Sequence, residues 1–380
     1  MMIMKPGNLD FLTRFYEQKL SQQNFIPELG SLLSSEDLTA SALPFFSHQD
    51  PKDWLRLACR RRGQLSEIQT SQGIASFRLL IQKLPKDSVE KAESGAFFIF
   101  TPPEYALIHL LVTLEPSHFF EHLRRFVESS YPKVLTTFVT HRRFQRLLSL
   151  FLQKHDLSQL IINRASLRIR FQENEEACAR PIVPMVSWPD MDIHRAFDWV
   201  KEQNGWFQSL KFTAYRNKRA LAGISFSRQG ITRTTGLLPE VFSSFIMPVC
   251  KILDENVRFF GQRSRRDRKD LSVRPLIIDF ESDQVAELEE KRRFIIAMQQ
   301  MHSASVSVLH GNPYVHLSVL DYYDGSVFDV WVLSPSAITI VPQMKGSIAA
   351  IKRIINHVFD SFAEGRIREY EKVHEPIEGY

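Results

Sequence analysis

The run from Ser303 to Gly365 constrains what this chain can fold into more than any other part of it. Val315, Leu317 and Val319 alternate with His316 and Ser318, the period-two pattern of a half-buried strand. Asp324-Gly325 follows with apolar alternation on both sides, a hairpin signal. Val327 to Leu333 continues as a second strand. Ser334-Pro335-Ser336 breaks it, Ile338 to Val341 resumes, and Pro342, which has no N–H to donate, ends the third. Ser347 then suits a helix N-cap, and Ile348, Ile351, Ile354, Ile355, Val358, Phe359 and Phe362 recur at helical spacing. Gly365 fits a left-handed helix stop. The pattern predicts antiparallel strands laid by one face on a single helix.

Two further stretches repeat that order, so a βββα unit is expected at about 76–130, 210–260 and 314–364. The expected fold class is α+β: two mixed domains built on such units, with antiparallel sheets covered by helices. A chain of 380 residues, 44% hydrophobic, supports cores of that size. Residues 1–63 read as a helical N-terminal segment and 64–171 as a first α/β domain. Residues 172–193, with Glu173, Glu175, Glu176, Pro181, Pro184 and Pro189, read as a linker. Residues 194–370 read as a second α/β domain and 371–380 as a tail. Pro248 is expected to kink the helix over 239–260.

Cys59, Cys178 and Cys250 lie far apart with no CxxC, which supports neither a zinc site nor a disulfide framework. No motif for a bound cofactor is present. No apolar run approaches the roughly 20 residues that span a bilayer, and the N-terminus has no signal-peptide core, so no membrane insertion and a cytoplasmic location are expected.

Positive charge is the clearest functional signal. Net charge is +5, and arginines outnumber lysines 31 to 17. Five of the ten residues from Gly261 to Asp270 are cationic: Arg263, Arg265, Arg266, Arg268 and Lys269. Such a loop between a helix and a strand is expected to be exposed and to contact phosphates. The first expectation is therefore a non-catalytic protein that binds a polyanion, most simply nucleic acid. A structural or adaptor subunit, whose partner is an acidic protein or a second copy of the chain, is the alternative.

Catalysis is a third reading. Leu276-Ile277-Ile278-Asp279-Phe280-Glu281 is an apolar strand ending in acid-x-acid, and His316 and Asp321 follow on a later strand. That order resembles the metal-binding strand of palm-type polymerases and primases. The resemblance implies metal-dependent phosphoryl transfer by Asp279, Glu281, His316 and Asp321. The same strand is similar to a Walker B strand, but GxxxxGK[ST] is absent. His310 and Asp324 are further polar candidates, each with a turn role as the plainer account. Lys345-Gly346-Ser347 offers either a helix cap or an anion site.

Overall fold

The computed structural model describes residues 6–35, 38–60, 63–81, 93–169, 185–203, 205–266, 272–343 and 345–370. The chain is α+β, with two sheets and a short helical N-terminal segment. It divides into two compact units whose boundary falls between Glu255 and Asn256.

In the first unit, α1 (Pro6–Glu17) and α2 (Phe25–Ser35) precede β1 (Ala40–Ser47). Next come α3 (Pro51–Cys59), β2 (Gly63–Ser71), β3 (Ile74–Ile81), β4 (Glu93–Phe100) and β5 (Ile108–Thr113). Then follow α4 (Ser117–Ser129), β6 (Val134–Thr136), α5 (His141–Lys154), β7 (Gln159–Ile169) and β8 (Met185–Asp192). The last are α6 (Ile193–Glu202), β9 (Gly205–Arg216), β10 (Arg219–Ser227) and β11 (Thr232–Thr234). All the strands join one eleven-stranded sheet, in the order β2-β3-β4-β5-β1-β11-β10-β9-β7-β8, with β6 also on β1.

This topology corrects the expected boundaries. The 1–63 segment is not helical throughout, because the wholly buried β1 runs through it and pairs with β5, β6 and β11. β11 pairs Ala40 to Ala42 and β6 pairs Phe45 to Ser47, so Pro44 falls in the gap between them. A proline is tolerated there because no ladder on that side needs its missing N–H. The expected linker at 172–193 contains β8, and β7 and β9 on either side of it pair directly. The sheet therefore runs on past that segment, and the expected domain at 194–370 straddles both units. The first two βββα units share this sheet, while the third has its own.

Two helices of this unit bury stripes at helical spacing. Phe119, Phe120, Leu123, Phe126 and Val127 of α4 are buried, as are Phe144, Leu147, Leu148 and Phe151 of α5. α4 packs its stripe into a cluster with Phe45, Trp54, Phe77 and Phe97. Each such side chain contributes about 1.5–3 kcal/mol by leaving water. At the Pro248 region the chain forms α7 (Leu238–Val241), a π-helical turn over Phe242–Ile246, and α8 (Met247–Gly261). The Met247 N–H bonds the Phe242 carbonyl across that wide turn.

The second unit continues with β12 (Leu276–Phe280), α9 (Leu288–Gln299), β13 (Ala304–His310), β14 (Val315–Asp321) and β15 (Val327–Ser334). β16 (Ala337–Pro342), α10 (Ile348–Ser361) and β17 (Gly365–Glu369) complete it. Its antiparallel sheet runs β13-β14-β15-β16-β12-β17. The arrangement repeats that of β1 to β6, where β1 likewise lies between β5 and β6.

Val315, Leu317, Val319, Phe328, Val330, Ile338, Ile340, Leu276 and Ile278 point to one buried face. α10 meets it with Ile351, Ile354, Ile355 and Val358, and α9 packs beside α10. Ser347 caps α10, its hydroxyl accepting the Ala350 N–H at 3.1 Å. Gly325 takes the positive φ (+70°) that the hairpin turn requires. Gly365 is needed for another reason than the one expected. A Cβ there would stand 2.6 Å from the Asp279 carbonyl oxygen, so close strand approach, not a left-handed φ, selects glycine.

Candidate functional site

The second unit holds every residue singled out above as a candidate, and most of them have structural duties. In the basic loop, Arg263 is buried at 3% side-chain exposure. Its guanidinium lies 3.5 Å over the Phe259 ring and donates to the Phe259 carbonyl and to Glu369, each at 2.6 Å. The expectation of an exposed Arg263 is thus corrected: an aromatic ring, a helix-end carbonyl and a carboxylate together hold it inside. The Arg265 and Arg266 N–H groups both donate to the Gly346 carbonyl, as does the Ser264 hydroxyl, which stitches the loop to the turn before α10. The Arg266 side chain is exposed and donates to the Asp324 carbonyl, with the Asp324 carboxylate at 3.5 Å. Arg265 is half-buried. Arg268 and Lys269 lie outside the described residues.

Arg263→Ala is expected to lower the stability of this unit by about 2 kcal/mol, because it orphans a buried carbonyl and strips the Phe259 ring. Arg266→Ala removes an exposed guanidinium from a buried Asp324 carboxylate that keeps its Ser326 and Ser347 donors, and should stay within about 1 kcal/mol of the parent. Urea unfolding of both variants checks this, and equal losses would contradict the buried role of Arg263.

The acids do not converge. Asp279 and Asp321 sit three strand intervals apart on β12 and β14 and near opposite ends of the strands, Asp279 level with Ser334 of β15 and Asp321 level with Ser326. They also point to opposite faces. Asp279 is on the face away from the helices, where the Arg368 guanidinium grips both its oxygens. Asp321 is fully buried on the helix side, accepting from the Tyr323 N–H at 2.8 Å and from Arg353. Burial pushes the Asp321 carboxyl above its ordinary range, against the pull of the Tyr323 N–H and of Arg353. Glu281 is exposed beyond the end of β12. Among the described residues no group of three or more His, Cys, Asp or Glu side chains could hold a metal ion. The donor set that the palm-type resemblance implies is therefore not assembled.

Asp324 does more than turn the chain. Its oxygens accept from the Ser326 N–H at 3.0 Å and from the Ser347 hydroxyl, tying the hairpin to the N-terminus of α10. With Ser347 also capping Ala350, the Lys345-Gly346-Ser347 turn follows its capping reading.

The sheet face away from the helices presents something sequence reasoning missed. His316 stacks on Trp331, ring centroids 3.5 Å apart and 15° from parallel. Tyr314 lies 6.0 Å from Trp331 and 4.1 Å from His310, again near parallel. The register explains the cluster: His316 stands opposite Trp331 across β14 and β15, and opposite His310 across β13 and β14. Asp329 lies 3.5 Å from the His316 Nε2 and accepts from the Gln343 amide at 2.6 Å. Alternation alone set His316 apart from the buried valines of its strand, but its meeting with Trp331, Tyr314 and His310 depends on register.

Around this cluster the surface is apolar. Seven of the thirteen exposed large apolar residues described in the chain lie between 308 and 333, too many in one place for scatter. Leu320 and Leu333 (66% exposed) share the face of the stack, Leu309 (57% exposed), Tyr314 and Tyr322 lie in the same stretch, and Val308 is exposed on the helix-side face of β13. Ser303 to Leu320 contains no Lys, Arg, Asp or Glu, in a chain where 24% of residues are charged.

Among the described residues no helix is long and apolar enough to cross a membrane. In the first unit, β1, β5 and β11 with α2 and α7 enclose an apolar cavity of about 10 Å³, too small for an organic substrate. No protein-family model matches the chain, and no curated protein matches it.

Proposed function

We propose that this chain is a non-catalytic subunit of a protein assembly and that it docks through the β13–β15 side of the second unit's sheet. The observation that carries this reading is the aromatic-centred outer face of β13 to β15, uncharged from Ser303 to Leu320, where exposed Leu320 and Leu333 share the face of the Tyr314–Trp331–His316 stack and of Asp329. Protein interfaces are enriched in Tyr and Trp and depleted of charge at their centres, and large exposed apolar patches otherwise favour aggregation. Stacked rings held by strand register are rigid anchors, which lose little entropy on binding.

Site-specific photo-cross-linking in the native cell tests this. p-Benzoylphenylalanine in place of Leu320 or Leu333 should yield a discrete, protease-sensitive adduct. The same group in place of Leu150, an exposed residue of the first unit, should not. Identical products at all three positions would overturn the reading.

Polyanion binding is the second reading, supported by Arg265 and Arg266 beside the sequence-adjacent Arg268 and Lys269. The burial of Arg263 and the pairing of Arg266 with Asp324 leave it fewer free cations than the sequence promised. A nuclease-sensitive adduct in the same experiment would favour it instead.

A further inference from the structure

β13 ends the second unit's sheet, and its outer edge has no strand against it among the described residues. The direction of its free backbone groups follows from two bonds. The Tyr322 N–H donates to the Ser303 carbonyl at 3.0 Å, while the Asp321 N–H donates the other way, to Ser326 at 2.9 Å. Even-numbered residues of β14 therefore bond toward β13. Ser305 and Ser307, opposite Leu320 and Ser318, are their partners, which leaves the N–H and C=O groups of Ala304, Val306 and Val308 pointing outward.

Natural edge strands are guarded by lysine, proline, inward charges or shortness. β13 spans seven residues, Ala-Ser-Val-Ser-Val-Leu-His, and has no formally charged residue and no proline. Its Val308 and Leu309 are exposed. Its one irregularity, the register shift between Val308 and His310, lies at the far end and leaves the stretch from Ala304 to Val308 straight.

We infer that the occupant of this edge is β13 of a second copy of the chain, paired antiparallel about a two-fold axis through Ser307. This rests on the reading of the same sheet as a docking surface. The strand is self-complementary about that residue. Val306 meets Val308 of the other copy, and each pair exchanges both of its outward backbone bonds. The valines share the helix-side face, so Val308 is covered by a β-branched neighbour, a favourable cross-strand pair. The two Ser307 residues meet as a non-hydrogen-bonded pair, about 4.5 Å apart at Cα, where small side chains fit. A two-fold axis sets the strand against its own sequence, and an uncharged strand brings no like charges together across it. The half-buried Ile295 and Ile296 of α9, the helix that packs on β13, extend the apolar surface beside the edge. The dimer would carry one continuous sheet, with the two Trp331 stacks on one face and five strand intervals, roughly 24 Å, between them.

The test uses the purified full chain with Cys178 replaced by serine; Cys59 and Cys250 are buried. Sedimentation velocity should show a dimer at micromolar concentration that Val308→Lys converts to monomer without changing the thermal unfolding midpoint. Under mild oxidation Ser307→Cys should form a disulfide-linked dimer in high yield. Ser305→Cys, set opposite Leu309 in this register, should give little. A monomeric parent chain, a dimer that survives Val308→Lys, or equal cross-linking at both cysteine positions would overturn the inference. If the chain is monomeric yet Leu320 or Leu333 photo-cross-links to a different protein, the second copy is excluded while the docking surface stands. A monomer with no position-specific protein adduct removes both.

Discussion

Between pH 6.5 and about 4.5 the chain is expected to lose roughly 5 kcal/mol of unfolding free energy from two histidines of the first unit. His109 and His141 are both buried enough to push their imidazoles from 6.5 down to about 4. Desolvation is the main cause at each site. At His109 the Ser47 backbone and Asp50 pull weakly the other way, and the Thr101 hydroxyl lies 2.9 Å from the ring. At His141 the buried Arg228 guanidinium adds to the penalty on a charged ring. His141 also opens α5, where the helix dipole disfavours a cation. Above pH 6.5 both rings are neutral in the folded and unfolded chain alike. As pH falls the unfolded chain takes up both protons first, so stability drains away until the folded rings protonate near 4. Urea unfolding at pH 7 and about 4.5 measures the loss while keeping most carboxylates ionised. The double variant His109→Phe, His141→Phe keeps ring-shaped apolar groups beside Phe45 and Phe207 and should be nearly flat across the window. A parent chain that is itself flat would show that water reaches these rings.

Both histidines illustrate what a sequence carries and what it withholds. Spacing alone placed Phe119 to Val127 and Phe144 to Phe151 on buried stripes, because helix periodicity is local. It also placed His316 opposite the core face of its strand, because strand alternation is local too. The failures are non-local. β1 was hidden because Pro44 is hostile to a strand until one knows that the neighbouring strands leave a gap at that residue. The expected linker at 172–193 had the right composition, yet β7 and β9 close the sheet around it. Arg263 looked as available as the other cations of its loop, and only the approach of Phe259 and Glu369 shows why it is not. Asp279 and Asp321 lay in a suggestive order, but strand order and side-chain parity put them on opposite faces. The Trp331 cluster needed the register of three strands, which no single stretch encodes.

Lys352→Met is expected to stabilise the protein by about 4 kcal/mol at pH 7, with the gain shrinking as pH rises toward 10. Lys352 is 8% exposed on α10, among Ile348, Ile351 and Ile355. Among the described residues no carboxylate or hydrogen-bond acceptor holds its ammonium. Desolvation alone lowers its pKa from 10.5 to about 7. Below pH 7 the folded chain must bury a charge that the unfolded chain solvates, and the full penalty applies. From pH 7 upward the folded lysine sheds its proton while the unfolded one keeps it, so the parent chain gains stability until both are neutral near 10.5. Methionine has a similar length and no charge, so it removes the penalty at every pH and leaves packing close to intact. Urea unfolding of parent and variant at pH 7, 8.5 and 10 gives the gap directly. A gap that is absent at pH 7, or that does not narrow with pH, would place an acceptor or water at the ammonium. A narrowing gap would mean that α10 keeps its lysine at a standing cost of several kcal/mol. The core-facing helix would then be stabilised by any ligand that takes up that charge, and binding that strengthens as pH falls toward 7 and levels off below it would identify such a ligand.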